Sequence, residues 1–158
     1  MPAVRIVEAE DAASLGVMRE LLTEYAGWLD IEVEFQHFDR ELAELPGDYA
    51  PPRGAILLAC VGAEIAGCVA LRPLESGICE MKRLWVRGPF RGTGVGRALA
   101  MAILERAQRC GYQRMRLDTL AGMQAARRLY QRLGFRAIPA YNSSPIPDTL
   151  YLEIELSS

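Results

Sequence analysis

A glycine-rich loop between a strand-like and a helix-like segment has the residue types best suited to chemistry. The stretch reads WVRGPFRGTGVGRALAMAILERA, residues 85–107, and three glycines stand at every second position: Gly92, Gly94 and Gly96. Glycine lets a backbone approach a ligand closely, and the first N–H groups of a helix have no partner inside it. The loop therefore predicts a cradle for a pyrophosphate, with Arg91 and Arg97 at its rim as charge-assisted donors. The alternative is a helix N-terminus that uses glycine for packing alone.

Two familiar phosphate loops do not fit this stretch. A P-loop needs lysine and then serine or threonine, and neither follows Gly96. A dinucleotide fingerprint needs a third glycine, where this sequence has Arg97 or, in the other register, Leu99. Only Asp118, near the end of the next strand, favours the dinucleotide interpretation. The pattern that remains is RxxGxG, from Arg91 to Gly96.

The elements that must position this loop follow from the hydrophobic pattern. The predicted strands are AVRIVEA, GAILLACV, IAGCVALRPL, ICEMKRLWV, RMRLDTL, FRAI and LYLEIEL. The predicted helices begin near Asp11, at Gly94 and at Gly122, and a short one is possible from Asp39 to Leu45. The order βα(α)βββαβαββ predicts an α/β fold: a mixed, mostly antiparallel sheet with helices on its faces.

Length and composition predict an ordinary globular protein. The 158 residues, 51% hydrophobic and 24% charged, suit a single domain spanning 1–158. The longest apolar runs, Ala55–Val61 and Ala98–Leu104, are far shorter than the roughly 20 residues that span a bilayer. The first residues show no secretory signal, so we expect a cytoplasmic protein without a membrane partner.

Cysteine usage and charge narrow the function classes. Four cysteines without CxxC spacing and a single histidine, His37, predict buried reduced thiols and no metal site. Residues 82–136 hold 13 of the 18 basic residues but only two acidic ones, Glu105 and Asp118. Folding either separates the two signs of charge into different faces or interleaves them. A nucleic-acid module is disfavoured, because no binding motif and no exposed aromatics accompany the arginines.

The motifs between Glu80 and Phe135 resemble those of the GCN5-related N-acetyltransferases (GNAT). The stretch LWVRGPFRGTGVGRAL, followed by RMRLDT and then AARRLYQRLGF, carries the resemblance. Residues 1–53 match only as a βαα opening. The resemblance implies the GNAT acyl-CoA N-acyltransferase fold, with acetyl-CoA as co-substrate and its pyrophosphate on the RxxGxG loop. Its implied coenzyme-binding residues are Leu84, Trp85, Val86, Arg91, Gly92, Thr93, Gly94, Val95, Gly96, Arg97, Met123 and Ala126.

The resemblance also implies two catalytic residues. Glu80 matches a strand glutamate that acts as base directly or through water. A carboxylate is useful there, because an alkylammonium needs about 4.6 kcal/mol to lose its proton at pH 7. The alternatives for Glu80 are an exposed strand residue or a partner of Arg83. Tyr130 matches a tyrosine beside the coenzyme sulfur that acts as general acid, and its alternative is plain core packing.

One position departs from the family pattern, and the acceptor site is only outlined. Relatives often carry asparagine where this chain has Met123, so the resemblance implies an apolar thioether in place of one polar coenzyme contact. The acidic, aromatic segment from Asp30 to Asp48, with Tyr49, is expected to form a substrate flap, and Tyr141–Asp148 its other wall. The aromatic and histidine side chains of that flap are Phe35, His37 and Phe38.

The expected activity is transfer of acetyl to a primary amine of a small or amino-acid-like molecule, directly within a ternary complex. The alternative is a non-catalytic acyl-CoA sensor. Edge strands in the last hairpin make a homodimer possible.

Overall fold

A computed structural model of the chain describes residues 3–29, 32–144, 146 and 148–156. Within those residues one sheet contains β1 (Val4–Glu8), β2 (Ala55–Val61), β3 (Glu64–Glu75), β4 (Ile78–Val86), β5 (Arg114–Leu120), β6 (Arg136–Ala137) and β7 (Thr149–Glu155). The same residues form four helices, α1 (Ala12–Leu29), α2 (Glu32–Glu44), α3 (Val95–Arg109) and α4 (Gln124–Leu133). The predicted order of elements is confirmed.

The sheet is mixed, as predicted. Its strand order is β1-β2-β3-β4-β5-β7-β6. The pairing of β4 with β5 is parallel, and the other described pairings are antiparallel. A parallel neighbour needs a crossover connection, and α3 provides it between β4 and β5. The glycine loop therefore lies at the start of the crossover helix.

Helices cover both faces of the sheet and bury two apolar clusters. Leu99 and Ile103 of α3 pack with Met115 of β5 in one cluster. Leu21 and Leu22 of α1 pack in the other, on the opposite face. Each of these side chains is fully buried, which stabilises the fold by roughly 1.5–3 kcal/mol per residue. The two clusters therefore pack against both faces of the sheet.

Helix α2 is longer than the pattern indicated. The sequence predicted a short helix from Asp39 to Leu45, whereas α2 begins at Glu32 and ends at Glu44. An isolated 13-residue helix is marginal in water, so tertiary contacts must hold it. Phe38 is buried, and Glu41 accepts two hydrogen bonds from Arg83 of β4. Such contacts cannot be read from the local pattern.

Strand β4 contains a bulge that the sequence did not reveal. Its register against β3 shifts between the pairs Cys68↔Trp85 and Ala70↔Lys82, which places one extra residue on β4. Arg83 lies inside this bulge with φ +62°, a conformation that a non-glycine residue adopts at a cost. Opposite the bulge, a Cβ on Gly67 would lie 2.4 Å from the Trp85 carbonyl oxygen. The bulge redirects the end of β4.

Folding interleaves the basic segment with the acidic remainder of the chain. Arg87 contacts Glu24 at 2.8 Å, and Arg106 pairs with Glu8. Arg116 donates to Glu153 at 2.8 Å. Each of these pairs joins residues 82–136 to the rest of the chain, so the interleaved arrangement is the one observed.

The four cysteines are free thiols, and three of them are buried. Cys60, Cys68 and Cys79 are buried free thiols, while Cys110 is only half-buried. Burial raises the pKa of Cys68 and Cys79 to about 12, which keeps both protonated and unreactive. Among the described helices, none is long and apolar enough to cross a bilayer.

Candidate active site

A gap opens between β4 and β5 where their pairing ends. The two strands pair only from Ile78 to Glu80 on β4 and from Arg114 to Arg116 on β5. Beyond Glu80 a pocket separates them, and both strands line it, with Met81–Leu84 on one side and Leu117–Leu120 on the other. Backbone groups that would otherwise bond across the sheet are thereby directed at the gap.

The glycine loop forms an uncapped helix N-terminus beside this gap. Gly92 has φ +76° and Gly94 has φ +92°, and a Cβ at either would meet nothing within 4 Å. Gly94 is the N-cap residue of α3, and no side chain caps the helix there. At Gly96 a Cβ would lie 3.6 Å from Val86 Cγ2, an ordinary contact. The positive φ angles at Gly92 and Gly94 therefore favour glycine there. At Gly96 no such angle requires glycine, and the missing side chain only keeps that part of the loop surface open.

A groove of about 500 Å³ runs from the loop along β4 to the start of α4. Eight of the predicted coenzyme-binding residues line it: Leu84, Trp85, Val86, Arg91, Gly92, Gly96, Met123 and Ala126. Trp28 of α1 and Phe90 also line the groove, and the sequence pattern pointed to neither. Trp28 is a large apolar side chain left 51% exposed, which marks this surface as a binding site candidate.

The other four predicted residues support the groove from outside its lining. Thr93 Oγ1 donates to the Phe90 carbonyl oxygen and tightens the loop. Gly94 is the N-cap, Val95 is buried in the core, and Arg97 is exposed on the first turn of α3. All twelve predicted coenzyme-binding residues thus lie in or beside the loop and the groove, and eight of them line the groove.

Arg91 is held in place by aromatic side chains. Its guanidinium carbon lies 4.8 Å from the centre of the Trp85 ring and 5.6 Å from that of Trp28. Its Nε donates to the Val86 carbonyl oxygen at 3.1 Å. Stacking on aromatic faces suits a planar guanidinium and stabilises it in one orientation. The exposed cation is therefore positioned at the loop before any anion arrives.

Glu80 is completely buried at the point where the strands part. Arg72 contacts its Oε1 at 2.7 Å, and the Tyr141 hydroxyl donates to its Oε2 at 2.6 Å. Neither of the structural alternatives considered from the sequence is correct, because Glu80 is not exposed and Arg83 pairs with Glu41. Although burial opposes its charge, Arg72 has a raised pKa because Glu80 lies beside it. Burial, reinforced by Glu80, raises the pKa of Tyr141.

Tyr130 of α4 reaches the same gap from the opposite face. Its side chain is buried, its ring meets Phe135 edge-on at 5.7 Å, and it lines the pocket beside Met123. Burial raises the pKa of its hydroxyl, and Tyr25 and Asp118 add to the effect. The phenol therefore keeps its proton at neutral pH. Tyr130 therefore packs in the core and also lines the gap.

Charged side chains surround the other face of the gap. Arg83, fixed bidentately on Glu41, lies 4.7 Å over the Phe38 ring. Lys82 Nζ lies 3.8 Å from Asp118 Oδ1, across the gap between the strands. Phe38 and Glu41 of the predicted flap segment thus contact β4 through Arg83, and the role of that segment as a substrate flap stays a prediction. The side chains of Phe35 and His37 lie outside the described residues.

Residues of the segment after β6 line another side of the gap, and their role in an acceptor site stays a prediction. Tyr141 bonds to Glu80, and Asn142 Nδ2 donates to Asp118 Oδ2 at 3.1 Å. Ser144 and Ile146 line the gap itself. Pro145 and Pro147 lie outside the described residues.

Sequence reasoning missed the pair of Lys82 and Asp118. A signal existed in the alternation along β5, where Leu117 and Thr119 are buried on one face and Asp118 points to the other. A polar residue alternating with buried ones is ordinary in a half-exposed strand, so the pattern alone could not single it out. Only the parting of β4 and β5 gives Asp118 a cavity to face.

Comparisons with known proteins agree with this geometry. Residues 15–135 match the model of the acetyltransferase (GNAT) family. An uncharacterized N-acetyltransferase of Schizosaccharomyces pombe is 40% identical over 139 residues, which are 87% of this chain and 85% of the relative. The N-acetylaspartate synthetase of Homo sapiens is 33% identical over 109 residues, 68% of this chain but 36% of the relative.

A solved structure supports the fold over almost the whole length. The acetyltransferase yncA of Salmonella typhimurium, determined with acetyl-CoA, superposes with a TM-score of 0.70 at 21% identity and covers 98% of this chain and 95% of that one. The strand gap, the glycine-built helix N-terminus and the family match agree. The chain therefore belongs to the acetyltransferase (GNAT) family and is an acyl-CoA-dependent N-acetyltransferase.

Proposed function

We propose that the protein acetylates a primary amine of a small, amino-acid-like molecule by direct transfer from acetyl-CoA within a ternary complex. One observation carries the proposal: the groove beside the glycine loop and the gap between β4 and β5 share Leu84 and Met123 in their linings, and Tyr130 lines the gap near this junction. A thioester approaching along the groove and an amine approaching from the charged face would meet at that point.

The residues present fit the coenzyme. The first turn of α3 has no side-chain cap, so its N–H groups are available to a pyrophosphate, and Arg91 stands ready beside it. The apolar wall formed by Leu84, Val86 and Ala126 suits the pantetheine arm. Bound acetyl-CoA supplies an activated acetyl group and a thiol leaving group. Met123 offers an apolar contact where relatives have an amide.

Tyr130 is proposed to hold the proton that the departing sulfur needs. Its raised pKa keeps the phenol protonated at the pH of the cell, and its burial keeps bulk water away from it. Glu80 stays a predicted catalytic residue. Both of its oxygens already accept hydrogen bonds, so a proton would reach it through Tyr141 rather than by direct contact with the amine.

Relatives support the choice of donor and acceptor. The Salmonella protein binds acetyl-CoA, which favours the same donor here. N-acetylaspartate, named in the human relative, is the acetylated form of an α-amino acid, which favours an amino-acid-like acceptor. Because the match covers 36% of that relative's length, the likeness concerns only part of the relative.

The test combines binding with turnover. Acetyl-CoA at about 100 times its Kd should stabilise the fold by roughly 2.7 kcal/mol, which is measured as a rise in Tm. Release of CoA thiol is then followed with a panel of primary amines. Binding without turnover of any amine would favour the sensor alternative.

Initial-rate kinetics test direct transfer. Lines that intersect when both substrates are varied support a ternary complex. Parallel lines would instead indicate an acetylated enzyme, and they would contradict this part of the proposal.

A further inference from the structure

Among the ion pairs described around the gap, the pair formed by Lys82 and Asp118 is the loosest. Their atoms are 3.8 Å apart, beyond hydrogen-bond distance, and the side chains keep 13% and 25% of their exposure. By contrast, Arg72 contacts Glu80 at 2.7 Å. Two partly exposed opposite charges that do not close on each other have bonding capacity left for a ligand.

Asp118 is oriented rather than neutralised by its surroundings. Asn142 donates its Nδ2 to Asp118 Oδ2 at 3.1 Å, while the Asn142 Oδ1 accepts from the Tyr151 hydroxyl at 2.8 Å. This chain of contacts fixes the Asn142 amide and aims Asp118 Oδ1 at Lys82. A carboxylate accepts several hydrogen bonds, so Oδ1 can still receive a ligand ammonium.

Lys82 is the only lysine of the chain, and the other 17 of its 18 lysine and arginine residues are arginines. Lysine carries a compact ammonium with three rotatable donors, whereas arginine carries a broad planar fork. A small cation therefore lines the gap, where a guanidinium would fill more of it. The neighbouring Arg83 is committed to Glu41.

We propose that Lys82 and Asp118 form the acceptor subsite and that the acceptor is a free α-amino acid. The α-carboxylate binds Lys82 and the α-ammonium binds Asp118, so the zwitterion inserts between two charges of opposite sign. Both residues line the same pocket as Tyr130, which places the amine beside the junction described above. The inference rests on the proposed function and names its substrate class.

Protons balance in this arrangement. The ammonium loses one proton to Asp118, which passes it to solvent. Asp118 is the base in this step because it contacts the ammonium, whereas both Glu80 oxygens already accept hydrogen bonds from Arg72 and Tyr141. The neutral nitrogen then forms the C–N bond as the C–S bond breaks. Tyr130 gives its hydroxyl proton to the sulfur and is reprotonated by the second proton that the nitrogen releases. The products are the N-acetyl amino acid, CoA thiol and one proton in solution.

Substrate comparison is the first test. The proteinogenic L-amino acids are assayed beside their α-amino amides and their decarboxylated amines. One charged contact corresponds to at least a roughly tenfold advantage in kcat/KM for the amino acid over its amide. Lys82→Gln should lower this ratio towards one, chiefly by raising KM for the amino acid, and Lys82→Arg should restore part of it. Asp118→Asn should lower kcat for all three substrate types.

Labelling gives a readout that does not depend on turnover. Since the chain has one lysine, reductive methylation followed by peptide mass spectrometry reports on the Lys82 amine alone among side chains. In the presence of CoA, a preferred amino acid should slow methylation of Lys82 several-fold, and its decarboxylated amine should not.

The outcomes separate the two proposals. An equal or higher kcat/KM for amines without a carboxylate, or a preference that Lys82→Gln leaves intact, overturns the amino-acid subsite while acetyl transfer stands. A rise in Tm with acetyl-CoA but no turnover with any amine overturns the proposed function itself. Equal methylation rates with and without the amino acid also overturn the subsite.

Discussion

The two sides of the gap, which we propose as the coenzyme side and the acceptor side, are built in different ways. On the coenzyme side, the backbone forms the site, through positive φ at Gly92 and Gly94 and a helix N-terminus without a side-chain cap. On the acceptor side, pairs of side chains form the site. These pairs join residues far apart in the chain: Glu41 and Arg83 are 42 positions apart, and Tyr141 and Glu80 are 61 positions apart. The first kind of site is local and the second is assembled by folding.

This difference has an energetic counterpart. Backbone N–H groups at a helix end are present whatever the side chains do, so the coenzyme side tolerates variation in its lining. Buried charges are stable only while their partners remain, so the acceptor side is coupled to the stability of the fold. Substitutions on the coenzyme side should therefore change mainly the affinity for CoA. Substitutions on the acceptor side should change mainly the free energy of unfolding.

The largest effect is expected where the two sides meet. Tyr130→Phe removes the proton donor but keeps the ring against Phe135, so kcat should fall by about 10²- to 10⁴-fold while acetyl-CoA still raises Tm. Steady-state kinetics measure it. Tyr112→Phe is the matched control, because Tyr112 is equally buried and donates to the Arg53 carbonyl oxygen away from the gap. An equal loss in both variants would contradict a proton role for Tyr130.

Breaking the Glu80 ion pair should appear as lost stability. Arg72→Ala leaves the fully buried Glu80 carboxylate with Tyr141 as its remaining described partner, and the free energy of unfolding should fall by about 3 kcal/mol. Denaturant titration measures it. Arg136→Ala is the control, since the Arg136–Glu155 pair is exposed on both sides, and it should change stability by less than about 0.5 kcal/mol. Similar losses in the two variants would mean that the buried Arg72–Glu80 pair stabilises the fold no more than an exposed pair does.

The glycine loop should show the opposite signature. Gly94→Val forces a β-branched residue to φ +92°, at a cost of roughly 1–2 kcal/mol, so the Kd for CoA should rise about tenfold as the loop leaves its conformation. Isothermal titration calorimetry measures it. Gly16→Ala in α1, where a Cβ meets nothing within 4 Å, should leave the Kd unchanged and stabilise the helix by up to about 1 kcal/mol. An unaltered Kd in Gly94→Val would argue against a backbone cradle.

The smallest effect is expected at the stacked arginine. Arg91→Lys keeps the charge but loses the planar contact with Trp85 and Trp28, so the Kd for CoA should rise about two- to fivefold, equivalent to roughly 0.5–1 kcal/mol. Trp28→Leu should reproduce part of the loss without changing any charge. If Trp28→Leu has no effect while Arg91→Lys does, orientation by stacking is not the cause.

The sequence predicted the local elements of this molecule, and it predicted the contacts between distant residues only in part. The RxxGxG loop and the order of elements were predicted from patterns within a few residues of each other, and the resemblance to the GNAT family implied Tyr130. The position of Glu80 was also predicted, yet its partners were not, because Arg72 lies on the neighbouring strand and Tyr141 on a loop 61 residues away. Helix α2 was underestimated for the same reason, since Phe38 and Glu41 are held by distant residues.

The sequence by itself determined the elements whose causes are local. Glycine spacing decided where a positive φ is possible, and hydrophobic periodicity decided which segments are strands or helices. Tertiary structure alone decided that β4 and β5 part after Glu80, that Arg83 sits in a bulge, and that Lys82 faces Asp118. A pairing between strands depends on register, and register is a property of two segments at once, so neither segment's sequence contains it.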